Sequence, residues 1–298
     1  MTMEPATVVI YVCRTLVSVV GIVGNLILLL SLWCKSKVKT FDIFLMGLAL
    51  ANLVESVLVD MVDITLELLN MNPATWFCLT LKFMSGLGET TSILFTVLIC
   101  IFRYQKLKDA VFRVNLPTPL DTVWVAWVLS GAVWAVAFCF SLPSVFLSHG
   151  YDGFYENVST KCSSSLFECP RSNCSLGHIA YKTTYLAMTN VLPLLIIAIF
   201  SIFILKVLLQ NRRVAAGKLA GEKPLGKMTS TSRRSNISVI AALCIFEVVW
   251  ILHMIFQYTA DIDKFAFWSE CDFFISAVYS TGSPYIYGFG NNVFLLRR

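Results

Sequence analysis

The sequence predicts an all-α membrane protein, a bundle of seven transmembrane helices with its N-terminus outside the cell and its C-terminus in the cytoplasm. Three observations predict this fold class. The chain of 298 residues is 57% hydrophobic and only 14% charged, whereas an average soluble domain carries about 25% charged residues. Its apolar residues form seven long blocks, and about 20 such residues cross a bilayer as a helix. Cations are concentrated in alternate connections between the blocks.

The blocks are predicted to be helices because lipid offers no partner for open backbone N–H and C=O groups. The first block is too long for a signal-peptide core, and no small-residue cleavage site follows it, so it is expected to remain as the first span. No second domain or internal repeat is visible, and residues 1–298 are expected to form one domain. The predicted spans run from Val8 to Trp33, Ile43 to Leu69, Leu79 to Phe102, Val123 to Phe146, Tyr185 to Leu209, Ile237 to Tyr258 and Phe273 to Phe289.

The orientation follows from Lys and Arg, which accumulate in short cytoplasmic loops. The first, third and fifth connections and the C-terminal tail are rich in these cations, so they are predicted to be cytoplasmic. Two glycosylation sequons, at Asn157 and Asn173, fall in the second outer loop, with Asn157 favoured as the glycan site. Disulfides persist on the outer side, where five cysteines fall, namely Cys78, Cys162, Cys169, Cys174 and Cys271.

Each span carries a residue or short motif at a position typical of one class of membrane receptor. Cys78 opens the third span and Arg103-Tyr104 closes it, a separation that crosses a membrane at about 1.5 Å per residue. The other landmarks are, in chain order, Asn25, Asn52, Trp134, Pro143, Pro193, Phe246, Trp250, Pro284 and Tyr287. Together, over nearly the whole chain, they resemble the rhodopsin-like G-protein-coupled receptors.

The chain departs from the common pattern of these receptors at four positions. Phe102 stands where an acidic residue usually precedes the arginine, and Asn52 stands where the second span usually has an aspartate. Leu252 replaces a proline and Ser283 an asparagine. The stretches FRYQKLKDA and SPYIYGFGN resemble the vomeronasal type 1 receptors, and most of all their fish relatives, the olfactory receptor class A-like proteins. The resemblance implies a pheromone or odorant receptor in the plasma membrane of olfactory sensory neurons, acting through an inhibitory heterotrimeric G protein.

The resemblance also implies a cavity for a small organic ligand among the outer halves of the helices. Ionisable groups inside a membrane are costly and mark candidate sites, and Lys82, Ser85 and Glu89 share one face of the third span by their i, i+3, i+7 spacing. Internal pairs, such as Glu89 with His253 or Lys82 with Asp63, are the alternative to ligand contact. The expected ligand contacts are Asp63, Lys82, Ser85, Glu89, Tyr185, Thr189, Trp250, His253 and Gln257.

At the cytoplasmic end, Arg103 is expected to contact the G protein, because a receptor must open this face to admit a G-protein helix. Phe102 cannot hold the arginine by an ion pair, which predicts a weak resting restraint and measurable basal signalling. The cations from Lys106 to Arg113 are also expected to bind anionic membrane lipid. The predicted coupling set is Arg103, Tyr104, Lys106, Lys108, Arg233 and Arg234, and the predicted activation switch is Phe246, Trp250, Pro284 and Tyr287.

Two structural contacts are also expected. Asn25, Asn52 and Ser283 are predicted to form a polar cluster at mid-membrane. Cys78 is expected to bond to Cys174, with Cys169 as the alternative, since sequence leaves the connectivity open.

Other classes of protein have less support. The chain has no HExxH, GxSxG, Walker or paired-cysteine metal signature, so no enzyme activity and no metal or other cofactor are expected. No nucleic-acid partner is expected either. An opsin needs a lysine where this chain has Ser276 and Ala277. The remaining alternatives are a bitter-taste-type receptor and a membrane transporter, although transporters tend to show internal repeats.

Overall fold

The computed structural model describes residues 5–69, 71, 74–112, 122–149, 176–215, 230–259 and 268–290. These residues form seven helices and no β-strand. Each predicted span falls on one helix, which confirms the all-α fold class. The helices are α1 (Pro5–Trp33), α2 (Thr40–Leu53, then a π-helix over Val54–Asp60 and an α-helix over Met61–Leu68), α3 (Thr75–Phe112), α4 (Val123–His149), α5 (Leu176–Tyr185, then a π-helix over Leu186–Val191 and an α-helix over Leu192–Ala215), α6 (Ser230–Thr259) and α7 (Trp268–Gly290).

The helices differ in how much of their apolar surface the bundle covers. Within the described residues, α1 to α5 are long and apolar enough to cross a membrane, and α6 adds an apolar stretch at Val239–Ile255. Of the most apolar stretch, 67% is buried in α2 and in α3, but only 33% in α1, 22% in α4 and 17% in α5. Thus α2 and α3 form the centre of the bundle, whereas α1, α4 and α5 present apolar side chains to lipid.

Exposed tryptophans stand at the ends of three helices. Trp33 ends α1, Trp76 lies in the first turn of α3, and Trp124 lies in the first turn of α4. Tryptophan favours the interface between lipid and water because its ring is apolar and its N–H needs a polar partner. These positions fit helices that begin and end at membrane surfaces.

Small residues let neighbouring helices approach closely at two places. The ring of Phe95 on α3 lies where a Cβ on Gly47 of α2 would stand. On the other side of the bundle, a Cβ on Gly24 of α1 would come within 2.8 Å of the Tyr285 ring on α7. The Tyr285 hydroxyl donates to the carbonyl of Val20 at 2.8 Å. Both contacts depend on the missing side chain of glycine.

The two largest differences from the predicted helix boundaries are in α3 and α5. The sequence predicted that α3 ends at Phe102-Arg103, but the helix continues to Phe112. The change from apolar to basic residues marks where side chains leave the lipid, and the backbone stays helical beyond that point. Likewise, α5 begins at Leu176 rather than at Tyr185. Arg103 therefore lies within a helix and not at its end.

Stretches of π-helix interrupt α2 and α5. In α5 the stretch Leu186–Val191 comes just before Pro193. Proline has no N–H, and its ring collides with the carbonyl four residues earlier, here that of Thr189. The wider π-turn relieves this collision. In α2 the stretch Val54–Asp60 contains no proline or glycine, and nothing in its sequence explains it.

Candidate functional site

The half of the bundle near Cys78 is the predicted outer half, here called the Cys78 end, and the opposite half is the Arg103 end. At the Cys78 end, Lys82, Ser85 and Glu89 are all partly buried along α3. Glu89 is an electrostatic neighbour of Tyr181 and Tyr185 on α5. The α3 face that was predicted from spacing therefore meets α5 at the level of Glu89.

Tyr185 and Thr189 use their hydroxyl groups inside the bundle. The Tyr185 hydroxyl lies 2.8 Å from Thr90 Oγ1 and donates to the Gly86 carbonyl at 3.3 Å, which joins α5 to α3. Thr189 Oγ1 donates to the Tyr185 carbonyl at 2.7 Å. Both side chains are buried. In this conformation Tyr185 joins α5 to α3, and Thr189 is buried one turn further along α5.

Asp63 forms an ion pair that the sequence analysis did not anticipate. Arg14 Nη2 on α1 donates to Asp63 Oδ2 on α2 at 2.9 Å, and the side chains are only 4% and 11% exposed. The Arg14 guanidinium also lies 4.4 Å from the centre of the Phe273 ring on α7. Asp60 is an electrostatic neighbour of both members of the pair. The predicted alternative partner of Asp63 was Lys82, and Arg14 takes that place.

An aromatic column leads from the Cys78 end into the centre of the bundle. His253 packs edge-on against Trp250 with ring centres 4.9 Å apart, and Trp250 lies 5.7 Å from Phe246, all three on α6. Phe246 packs edge-on against Tyr279 of α7 at 4.7 Å. The Tyr279 hydroxyl lies 2.9 Å from Thr96 Oγ1 on α3. We call His253, Trp250, Phe246, Tyr279 and Thr96 the aromatic column. Through this column α6 contacts α7, and α7 contacts α3.

Trp250 carries a polar atom that the bundle leaves unsatisfied. Its side chain is 5% exposed, and its Nε1 has no hydrogen-bond partner among the described residues. Buried polar groups are nearly always hydrogen-bonded, because an unmet bond costs free energy. The indole N–H is therefore available to an acceptor that reaches it.

The predicted polar cluster at mid-membrane is confirmed. Asn52 Nδ2 lies 3.3 Å from Asn25 Oδ1 and 3.1 Å from Ser283 Oγ, which joins α2 to α1 and α7. Ser92 of α3 donates to Asn52 Oδ1 at 3.0 Å, and Asn25 Nδ2 donates to the Ser280 carbonyl at 3.0 Å. Hydrogen bonds between helices are favourable where no water competes. Four helices meet at this cluster.

At the Arg103 end, the arginine side chain lies over an aromatic ring. The Arg103 guanidinium lies 3.6 Å from the centre of the Phe41 ring on α2. Phe102 stacks against Phe41 with ring centres 6.1 Å apart. Tyr104 packs against Phe200 of α5 at 5.4 Å. Arg103 thus lies toward α2, whereas Tyr104 lies toward α5.

The remaining predicted residues fall in several environments. Pro284 and Tyr287 of the predicted switch are buried in α7. Lys106 lies 5.9 Å from the Phe102 ring, and Lys108 is exposed. Cys78 takes part in a disulfide bond. Several predictions lie outside the described residues or side chains, namely those on Cys174, Asn157, Asn173, Gln257, Arg233 and Arg234.

Three important residues were missed from the sequence. Arg14 is an ionisable residue inside the first apolar block, so the criterion applied to the other spans would have found it. Phe41 and Tyr279 carry no comparable signal, since the chain has 22 phenylalanines and 10 tyrosines. Their roles depend on how the helices are rotated toward one another.

Seven transmembrane helices, four of which meet at a polar cluster at mid-depth, define a polytopic helical membrane protein. The model of the 7 transmembrane receptor (rhodopsin family) matches residues 24–287. Because the match covers most of the chain, the protein belongs to this family. Members of the family are receptors that generally couple the binding of small molecules to G proteins.

Proposed function

We propose that this receptor is chemosensory. It binds a small odorant or pheromone at the Cys78 end and activates a heterotrimeric G protein, of the inhibitory class, at the Arg103 end. Its location is the plasma membrane of olfactory sensory neurons, with the N-terminus outside. The sensory role rests on the likeness of FRYQKLKDA and SPYIYGFGN to vomeronasal type 1 and fish olfactory class A-like receptors.

The observation that carries the binding proposal is the buried Trp250 N–H without a hydrogen-bond partner. A ligand that accepts this hydrogen bond stabilises the arrangement of α6 in which the N–H points toward it. A ligand shifts a receptor only through such a difference in affinity between two conformations. Because Trp250 begins the contacts through Phe246 to Tyr279, its position affects how α6 packs on α7.

The charges of the proposed site favour a small polar or aromatic ligand. Lys82 and Glu89 bring opposite charges to one helical face, so neither sign of ligand charge dominates. Asp63 is already neutralised by Arg14. A ligand held by hydrogen bonds at Ser85, His253 or Trp250 fits these surroundings better than one that needs a strong counter-ion.

The coupling proposal concerns the opposite end of α3. Arg103 and Tyr104, with Lys106, Lys108, Arg233 and Arg234 as flanking cations, form the G-protein contact. The side chains of Arg103 and Tyr104 point to different neighbours, Phe41 and Phe200. When the bundle opens between α3, α5 and α6, Arg103 and Tyr104 become exposed to a helix of the G protein.

A screen in cells tests the proposal. The chain is expressed with a promiscuous G protein, and amines, carboxylic acids and steroids are screened for calcium release. We expect at least one class to give a response that Trp250→Phe weakens, because phenylalanine keeps the ring but has no N–H. A response that Trp250→Phe leaves unchanged for every active compound contradicts the assigned contact. Bitter tastants are included, since their activity would favour the bitter-taste-type alternative.

Transport is tested separately from signalling. The purified chain is reconstituted into proteoliposomes, and uptake of each labelled active compound is compared with uptake into protein-free vesicles. We expect no difference, since the family match is to receptors. Uptake that depends on the protein supports the transporter alternative.

A further inference from the structure

We infer that the Phe41 ring restrains Arg103 in the resting receptor. This contact replaces an ion pair with the residue before the arginine, which Phe102 cannot make. This inference rests on the proposed role of Arg103 as a G-protein contact. The Arg103 guanidinium carbon lies 3.6 Å from the centre of the Phe41 ring. At this distance the cation lies in van der Waals contact with the ring, where the cation–π attraction is strong.

Burial strengthens this contact. The Phe41 side chain is only 8% exposed, so little water competes with the ring for the guanidinium. Cation–π attraction increases as both partners lose solvent. Arginine also suits such a site better than lysine, because its flat guanidinium stacks on a ring.

Phe102 holds the ring in place. It stacks on Phe41 with an interplanar angle of 18°, and packs edge-on against Phe44 at 5.9 Å. Phe102, which stands where an acidic residue is usual, therefore supports the Phe41 ring, and this ring restrains Arg103 in place of that acid. Phe41 lies in the first turn of α2, and this turn is capped by Asp42, whose Oδ2 accepts the Lys39 backbone N–H at 3.1 Å.

Among the described residues, the charged and titratable neighbours of Arg103 include Tyr287 and Asp42. Asp42 is also bound to Lys35, at 2.8 Å, in addition to its contact with the Lys39 N–H. A restraint by the charge of Asp42 is thus the competing explanation, and the two differ in which substitution releases Arg103. We call the contact between Arg103 and Phe41 the aromatic restraint.

The aromatic restraint predicts how basal signalling responds to substitution. If G-protein binding requires Arg103 to leave the ring, removing the ring favours the signalling conformation without ligand. Phe41→Leu keeps an apolar side chain but removes the aromatic face. Phe41→Tyr keeps the face. Phe44→Leu is the matched control, because Phe44 also packs against Phe102 but is not the ring beneath the guanidinium.

The experiment measures nucleotide exchange on an inhibitory-class G protein in membranes with equal receptor density and no ligand. We expect Phe41→Leu to raise basal exchange about three- to tenfold, the change expected from losing a contact of this kind. Phe41→Tyr and Phe44→Leu should match the wild type. Phe41→Met serves as a second ring-free variant if the leucine variant does not reach the membrane.

Several results would overturn the inference. Unchanged exchange for Phe41→Leu and Phe41→Met, with a clear wild-type signal, rejects the restraint alone. An equal rise in Phe44→Leu assigns the effect to general loosening of the packing. A rise in Asp42→Asn without one in Phe41→Leu assigns the restraint to the carboxylate. Absence of exchange above receptor-free membranes for the wild type and for both ring-free variants, with every class of G protein, rejects the proposed function itself.

Discussion

Arg14 and Asp63 form an ion pair whose side chains are only 4% and 11% exposed. Removing one partner leaves the other charge buried, which typically destabilises a protein by about 3–5 kcal/mol. We expect Arg14→Gln to lower the thermal unfolding temperature and the surface level of the receptor strongly. The double variant Arg14→Met with Asp63→Leu should recover most of the loss, because it removes both charges of the pair.

A second ion pair provides the control for this prediction. Lys35 pairs with Asp42 at 2.8 Å, and the side chains are 35% and 8% exposed. Water reaches the Lys35 side of this pair, and Asp42 keeps its hydrogen bond from the Lys39 backbone N–H, so Lys35→Ala should lower thermal stability less than Arg14→Gln. A thermal shift for Lys35→Ala as large as that for Arg14→Gln would contradict the assigned importance of burial.

Glu89 and Lys82 together report the charge of the ligand. Replacing Glu89 with Gln keeps the shape and removes the charge, so a cationic ligand should lose about 1.5–3 kcal/mol of binding free energy. Lys82→Gln should do the same for an anionic ligand and spare a cationic one. Concentration–response curves for each active compound provide the measurement. If neither variant changes the potency of any compound, the two residues have structural roles.

At the scale of helices, glycine sets the distance between α2 and α3. We expect Gly47→Ala to destabilise the receptor by about 1–3 kcal/mol, the usual cost of overpacking, because the added methyl group meets the Phe95 ring. Gly131→Ala on α4 is the matched control, since a Cβ there meets nothing within 4 Å. That variant should be neutral or more stable by up to about 1 kcal/mol. Thermal unfolding of both purified variants gives the comparison, and equal losses would contradict it.

The contrast between Asn52 and Arg103 shows which contacts the sequence can predict and which it cannot. The cluster of Asn25, Asn52 and Ser283 was predictable, because polar residues at matching depths in apolar helices must find one another. The contact of Arg103 with Phe41 was not, since it depends on the rotation of α2 against α3. The π-helical stretch Val54–Asp60 also precedes Asp63, and because a π-helix has more residues per turn than an α-helix, regular helical spacing does not predict which way the later side chains of α2 point.

At the scale of the whole molecule, the disulfide of Cys78 links α3 to another part of the chain. The predicted partner is Cys174, which would tie the second outer loop across the mouth of the cavity. We expect Cys78→Ser and Cys174→Ser each to abolish surface expression or response, because loss of a native disulfide costs about 2–5 kcal/mol. Cys139→Ser is the control, since Cys139 is free and exposed on α4. Normal behaviour of Cys174→Ser would instead favour Cys169.

The central claim is that this chain activates a G protein through Arg103. Nucleotide exchange on purified G proteins of each class, measured with the wild type and Arg103→Ala at equal density in vesicles, tests it most directly. We predict basal exchange by the wild type that an active ligand increases, and exchange by Arg103→Ala that falls to the level of receptor-free vesicles. Normal exchange by Arg103→Ala at the same surface density would contradict the claim and leave Arg103 as an anchor at the membrane surface.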